Sequence, residues 1–218
     1  MSKFALLFTI IFSLAALGSA VPDNAPTTLP EAFWKKPAIQ KKLKEREVIV
    51  GVTTTQVSKE KVRFAMTAAG HVNRSREHCY AVAQEYPKLK EVSSHFKTLN
   101  WNAEKSELFM VTEALGFQAR MIMKMTPVTD TKRSAIGFEV IWGHFTGMKG
   151  EIGFDPIDSR STEMSFRANY EAKELPLPKA LMGFALEVIN QKVAEKMRSY
   201  IETHEPTKVS SATSSTTQ

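Results

Sequence analysis

The histidines, serines and cysteine of this chain decide which catalytic chemistry its sequence supports. Five histidines are scattered along the 218 residues: His71, His78, His95, His144 and His204. No two of them have the HExxH spacing that places two zinc ligands on one helix face, and no GxSxG marks a nucleophilic serine. A single cysteine, Cys79, excludes an internal disulfide and a multi-cysteine zinc site. The sequence therefore predicts no metal site and no cofactor, and it nominates no catalytic residue.

Two polar side chains are the best candidates for a group that acts close to an interior site. Tyr170 occupies an inward position on a predicted strand, and His144 lies in a loop at a strand end. For each, a structural role with satisfied hydrogen bonds is the favoured interpretation. The charged residues Glu139, Arg120 and Arg167 fall on outward strand faces, where we expect solvated charge.

The most distinctive side chains of the sequence are apolar and flexible. Of ten methionines, five fall at inward positions of predicted strands: Met121, Met123, Met125, Met148 and Met164. Because methionine is flexible and polarisable, such a lining adapts to irregular apolar molecules. A solid methionine-rich core is the alternative interpretation.

Alternation of apolar and polar residues predicts the strands that carry these side chains. Residues 48–52 and 62–69 form two apolar runs, which the polar stretch 53–61 interrupts. Alternating segments then follow at 95–101, 107–114, 117–125, 134–142, 148–154 and 162–172. Half-polar strands joined by short turns indicate an antiparallel sheet with one face in water.

Helices are predicted after the first strands and at the end of the chain. Ser75 has the type and position of an N-cap for a helix that ends near Tyr86, and a short helical turn follows at 88–92. A long amphipathic helix opens after Pro176 and Pro178 and carries one apolar stripe. This order predicts an α+β domain in which a curved antiparallel sheet wraps around the last helix.

The sequence divides into four segments. Residues 1–20 combine a positive start, an apolar run and small residues at 18–20, which is typical of a signal peptide. Residues 21–47 form a linker and a broken helix, residues 48–202 the domain, and residues 203–218 a disordered tail rich in Ser and Thr. We expect an exported protein, periplasmic or secreted. The alternative is that the apolar run, although short for a membrane span, is retained as an anchor.

Basic residues concentrate in the segment 35–46, within a chain of formal net charge +6. A solvated surface is one interpretation of this segment, and peripheral contact with an anionic membrane is the other. Nucleic acid is excluded as a partner, because the remaining lysines are spread along the chain and no recognition module is present.

Three stretches carry a resemblance to a known superfamily. They are GHVNRS at 70–75 with CYAVA at 79–83 and EYP at 85–87, GMKGEIGF at 147–154, and LPLP at 175–178. The pattern resembles exported, bacterial-type members of the START-like, polyketide cyclase/coenzyme Q-binding (SRPBCC) superfamily, which has the helix-grip fold. The resemblance covers residues 48–202 and departs at Glu85, where the family more often has aspartate.

The resemblance implies a hydrophobic cavity between the sheet and the last helix. The residues expected to bind a ligand there are Met121, Met123, Phe138, Trp142, Met164, Phe166, Tyr170, Leu181 and Phe184. The expected function is an exported carrier of a lipid, quinone or similar molecule. A cyclase- or hydrolase-type enzyme that uses the same cavity and a protein-interaction module without a ligand are the alternatives. Ligand identity and oligomeric state stay open.

The predicted signal peptide has a direct test. If the small residues at 18–20 form the cleavage site, the mature protein begins at Val21. Amino-terminal sequencing of the exported protein checks this, and exported material that starts at Met1 or Ser2 would contradict it.

Overall fold

A single antiparallel sheet dominates the structure, a computed structural model that describes residues 29–131, 133–176 and 184–207. The described helices are α1 (Pro37–Lys44), α2 (Arg76–Ala83) and α3 (Phe184–Thr203), and 3-10 turns lie at Phe33–Lys35 and Lys88–Val92. The strands are β1 (Ile49–Ser58), β2 (Lys61–Val72), β3 (Phe96–Asn102), β4 (Glu107–Ala114), β5 (Phe117–Thr129), β6 (Ser134–Gly143), β7 (Lys149–Asp158) and β8 (Ser161–Ala172). Among the described helices, none is long and apolar enough to cross a membrane.

The strand order is β1-β2-β8-β7-β6-β5-β4-β3, and every neighbouring pair is antiparallel. The predicted α+β helix-grip architecture is confirmed: a curved sheet, two short helical segments after the first strands, and a long C-terminal helix. The predicted polar interruption at 53–61 is wrong, because β1 and β2 stay paired through most of it. Its threonines are β-branched and favour strand backbone, and the hairpin end is exposed, so polar side chains fit there.

Short helices cover one end of the concave face of the sheet. The predicted N-cap of α2 is confirmed, since Ser75 Oγ accepts a hydrogen bond from the His78 N–H at 3.3 Å. The α2 residues Cys79, Val82 and Ala83 point inward and are buried. They pack with the strands and with Ile201 near the end of α3, and this packing forms a solid core.

Polar contacts fix α3 along the β1–β2 edge of the sheet. Near its start, Glu187 Oε1 accepts a hydrogen bond from the Val52 N–H at 3.1 Å. Near its end, the Glu202 carbonyl accepts hydrogen bonds from the Arg74 guanidinium at 2.6 and 2.8 Å, and the Glu202 carboxylate pairs with Arg46 at 2.8 Å. The helix therefore runs antiparallel to β1.

The segment 33–44 packs on the opposite, convex face of the sheet. Trp34 and Leu43 are fully buried there against Ala69 of β2, and together they form a second apolar cluster. The sequence predicts a broken helix here, and the structure has the break at Pro37, between the 3-10 turn and α1. Both helical pieces dock on the domain, because their apolar side chains pack against a complementary patch on β2.

A buried carboxylate holds this segment in place. Glu163 of β8 is only 5% exposed, and it accepts hydrogen bonds from Trp34 Nε1 at 3.1 Å, Lys35 Nζ at 2.6 Å and Gln40 Nε2 at 2.7 Å. Burial opposes ionisation of Glu163, but the hydrogen bonds from Lys35 and Gln40 outweigh it and hold its pKa below the ordinary value. Neighbouring His71 has its pKa lowered by burial. The carboxylate is therefore ionised at neutral pH and satisfied by the segment that it holds.

Replacing this carboxylate should loosen the docked segment. We expect Glu163→Gln to lower the free energy of unfolding by about 1–3 kcal/mol at pH 7, because the charged acceptor of three hydrogen bonds is lost. The folded-state pKa of Glu163 lies below its ordinary value, so its stabilisation is complete above that ordinary value and disappears as the pH falls through the folded-state pKa. The difference from wild type should therefore shrink in acid.

Urea unfolding of both proteins between neutral and acidic pH measures this difference. Glu139→Gln is the matched control, because Glu139 is exposed and pairs with Lys149 only at 3.7 Å. A stability difference for Glu163→Gln that stays constant down to strongly acidic pH would contradict the assignment.

Candidate functional site

A cavity of about 460 Å³ lies between the concave face of the sheet and α3. Its helical side is formed by Leu186, Ile189, Val193 and Met197, all of which stay half-buried. The polar anchors hold α3 along the β1–β2 edge, and the cavity extends from there to β4 and β5. The volume is within the range of small-molecule sites.

The lining is almost entirely apolar and rich in methionine. All eight methionines of the described residues line the cavity: Met66, Met110, Met121, Met123, Met125, Met148, Met164 and Met197. The five that the alternation pattern placed inward are among them. Thioether side chains change rotamer at little cost, so this lining accommodates apolar molecules of irregular shape.

Five of the residues predicted to bind a ligand come together on this lining: Met121, Met123, Phe138, Met164 and Phe166. The rings of Phe138 and Phe166 stack with their centroids 5.8 Å apart and an interplanar angle of 16°. Gly150 makes room for this stack, since a Cβ at that position would lie 2.2 Å from the Phe138 ring. The antiparallel register of the four neighbouring strands β5 to β8 brings these side chains, which come from β5, β6 and β8, onto one face.

The predicted inward position of Trp142 is wrong. Its side chain is 54% exposed and is not part of the cavity lining. Ile122 and Met123 of β5 pair with Trp142 and Val140 of β6, so Ile141 is an extra residue, a β-bulge. A bulge reverses the alternation beyond it, which turns Trp142 to the outer face beside Ile122.

The remaining predicted residues lie beside the cavity or outside the described chain. Tyr170 is buried against Phe145, with ring centroids 5.5 Å apart, and it does not line the cavity. Burial raises the pKa of Tyr170, so its hydroxyl stays protonated at neutral pH. Leu181 and the side chain of Phe184 lie outside the residues that the structure describes.

His144 serves the local structure of a turn. Its Nδ1 lies 3.2 Å from both the amide nitrogen and the carbonyl oxygen of Arg120, and its ring meets that of Phe117 edge to face at 5.6 Å. It is not part of the cavity lining. These contacts agree with the structural interpretation of this imidazole.

Two further interior groups, the Cys79 thiol and the Tyr86 hydroxyl, have raised pKa values because they are buried among core residues. Burial raises the pKa of the Cys79 thiol to about 11, so the thiol is protonated at neutral pH and behaves as a core residue. Burial raises the pKa of Tyr86 to about 12. The Tyr86 ring lines the cavity and packs on Trp101 at 4.6 Å.

Residues with polar side chains also border the cavity, and the apolar pattern of the sequence does not mark them. They are Thr67, His95, Thr112, Glu113, Ser165, Asn190 and Arg198, of which alternation along the strands directs the side chains of Thr67, Glu113 and Ser165 to the other face. His95 Nδ1 lies 2.8 Å from the Glu113 carbonyl, and the Glu113 carboxylate is 3.8 Å from Lys97. Asn190 and Arg198 follow one row of α3 at a spacing of eight residues, a helical pattern that was detectable in the sequence beside the apolar stripe. Among the described residues, no group of three or more His, Cys, Asp or Glu side chains forms a metal site.

Solved structures with the same architecture come from several organisms. A START superfamily protein from Mycobacterium smegmatis superposes with a TM-score of 0.52 at 16% sequence identity, over 63% of this chain and 97% of its own. This chain has the START-like helix-grip fold. A STAR-related lipid transfer protein from Xanthomonas axonopodis (TM-score 0.52, 9% identity, 69% of this chain and 98% of its own) shares it. Norcoclaurine synthase from Thalictrum flavum (TM-score 0.50, 14% identity, 71% and 96%) does too.

No protein-family model and no curated protein matches the chain. The START-like fold is shared by a lipid transfer protein and a synthase, so the fold by itself does not choose between carriage and catalysis. The choice depends on the side chains of the cavity.

Proposed function

We propose that this protein binds and carries a hydrophobic small molecule, a lipid, quinone or similar compound, in the cavity between sheet and α3. The observation that carries the proposal is the lining: about 460 Å³ of space enclosed by apolar side chains, with all eight described methionines turned toward it. An apolar molecule gains free energy from leaving water for such a site, and flexible thioethers fit it without a fixed shape. The likeness to a lipid transfer protein agrees with this function.

Carriage is favoured over catalysis by the polar groups of the cavity. General acid–base chemistry needs a positioned acid and base within hydrogen-bond reach of the substrate. Of the described lining residues, His95 points a ring nitrogen at a main-chain carbonyl, and Glu113 is a half-exposed carboxylate close to Lys97. Tyr86, with a pKa raised to about 12 by burial, is a poor base at neutral pH.

Export is part of the proposal and is supported by the sequence of residues 1–20. A carrier secreted or held in the periplasm would move an apolar molecule through an aqueous compartment, which requires the molecule to be shielded from water.

The docked segment 33–44 gives the carrier a basic surface for peripheral contact with an anionic membrane. Docking buries its apolar side chains and leaves all five of its lysines exposed. Lys35 pairs with Glu163 and Asp155, and the other four are Lys36, Lys41, Lys42 and Lys44. The only described ion pair among these four joins Lys42 to Glu47 at 4.0 Å. Each lysine close to an anionic surface contributes about 1 kcal/mol, so contact should be reversible and sensitive to salt.

A buried charge in the cavity tests the carrier function. We expect Met123→Glu to reduce binding of an apolar fluorescent probe by at least about tenfold, because an unpaired carboxylate in an apolar site is costly. Titration of wild type and variant with the same probe measures this, and circular dichroism confirms that both are folded.

Two controls separate charge from volume. Met123→Leu keeps the lining apolar, and Thr126→Glu places the same charge on the exposed face of the same strand. Both should bind as wild type does. A folded wild type that takes up neither probe nor extracted lipid would overturn the carrier function and leave an interaction module as the better explanation.

The membrane contact has a separate test. We expect replacement of Lys36, Lys41, Lys42 and Lys44 by Gln to abolish sedimentation with vesicles that contain anionic phospholipid at low salt, because the electrostatic attraction is removed. The charge-matched control replaces exposed Lys59, Lys90, Lys192 and Lys196 by Gln. Equal loss in both variants would show that net charge, and not this surface, governs binding.

A further inference from the structure

Helix α3 presents two different rows of side chains to the cavity. One row is apolar and contains Leu186, Ile189, Val193 and Met197. The other row, at a spacing of one helical turn, contains Asn190, Ala194 and Arg198, and it faces the β1–β2 edge. Asn190 Nδ2 contacts Met66 Sδ of β2 at 3.6 Å, and Arg198 contacts the main chain just before β1. The cavity is therefore amphipathic at this edge.

The guanidinium of Arg198 is held in place without a carboxylate partner. Its Nη1 donates a hydrogen bond to the Arg46 carbonyl at 2.5 Å, and no described carboxylate forms an ion pair with it. The nearest turn of α3 carries Glu202, but both oxygens of that carboxylate pair with Arg46 at 2.8 and 2.9 Å, and one also accepts the Asn73 N–H. A half-buried positive charge beside an apolar cavity thus lacks a negative partner from the described chain.

Arg46 adds a second positive group at the same corner. Its Nη1 is buried and has no hydrogen-bond partner among the described residues, although its Nη2 pairs with Glu202. A buried N–H of this kind is costly unless something else accepts it. Arg198 and Arg46 are therefore neighbours where α3 passes the start of β1, and Arg46 keeps one N–H without an acceptor among the described residues.

We propose that the molecule carried in the cavity has an anionic head group, a carboxylate or phosphate, that binds Arg198. Guanidinium matches both groups geometrically, because its parallel N–H donors form paired hydrogen bonds to two oxygens. Ala194, one turn before Arg198, has only a methyl group and lines the cavity together with Val48 and Val50. A head group has space beside Arg198 at this position.

The far side of the cavity favours the same orientation. Among the described lining residues at that end, none is an arginine or a lysine, and the Glu113 carboxylate pairs with Lys97 at 3.8 Å, so that end offers a carboxylate or phosphate no arginine or lysine to bind. The lining between these two ends is formed by the methionines of β4 and β5, which suit a hydrocarbon chain. The head group should therefore lie at the β1 edge and the chain should extend toward β4.

Head-group chemistry is tested with three amphiphiles of equal chain length. Palmitate, hexadecyl phosphate and hexadecanol are titrated against wild type, Arg198→Gln, Arg198→Lys and the control Lys196→Gln, which removes the same charge from an exposed position of the same helix. We expect Arg198→Gln to weaken palmitate and hexadecyl phosphate by roughly tenfold, because one charge-assisted interaction is lost. Hexadecanol should bind all four proteins within about twofold. Arg198→Lys should retain part of the affinity for the anions.

The outcomes separate this inference from the carrier function on which it depends. Wild type that binds hexadecanol as tightly as palmitate, or Arg198→Gln that weakens all three amphiphiles equally, would overturn the anionic head group and leave carriage intact. Wild type that binds none of them would overturn both. If Arg198→Gln fails to fold, the salt dependence of the wild-type protein tests the anionic head group. Its palmitate binding must then weaken with added salt, whereas its hexadecanol binding must not.

Discussion

The attachment of α3 to one edge of the sheet determines the rest of the structure. Backbone and carboxylate groups hold the helix at Val52, Arg46 and Arg74, so the helix does not need to press its apolar side chains into the strands. Apolar packing alone would draw helix and sheet together until the gap closed, since burial is favourable by about 25 cal/mol per Å². Polar anchors along one edge keep the gap open.

Stability and the cavity are supplied by different parts of the domain. The solid core lies under α2 and the end of α3, where Cys79, Val82 and Ile201 are completely buried. From Leu186 to Met197, the apolar side chains of α3 that line the cavity are only half-buried. A region that leaves apolar surface uncovered forfeits free energy. The fold tolerates this loss because the other end is closely packed and the segment 33–44 adds a second apolar cluster on the convex face.

Local patterns predicted the sheet, the N-cap of α2 and the inward methionines, because alternation and capping depend on neighbouring residues. They failed at Trp142, since one extra residue in β6 reverses the alternation and nothing in the local sequence marks it. Alternation along β8 places Glu163 on an outward strand face and gives no sign that it is buried. Its burial depends on residues more than 120 positions away in the chain, and alternation carries no information about such contacts. The apolar stripe of α3 does not indicate Arg198, which lies on the row beside it.

The thioether lining has a chemical consequence of its own. Each methionine sulfur can be oxidised to a sulfoxide, which is polar and chiral and no longer suits an apolar surface. Eight such sulfurs surround one space in the described chain, so peroxide that enters the empty cavity would convert it stepwise into a wet, polar one. Under the proposed carrier function, a hydrocarbon guest would exclude that oxidant. The loaded protein would then accumulate sulfoxide in its interior more slowly than the empty one.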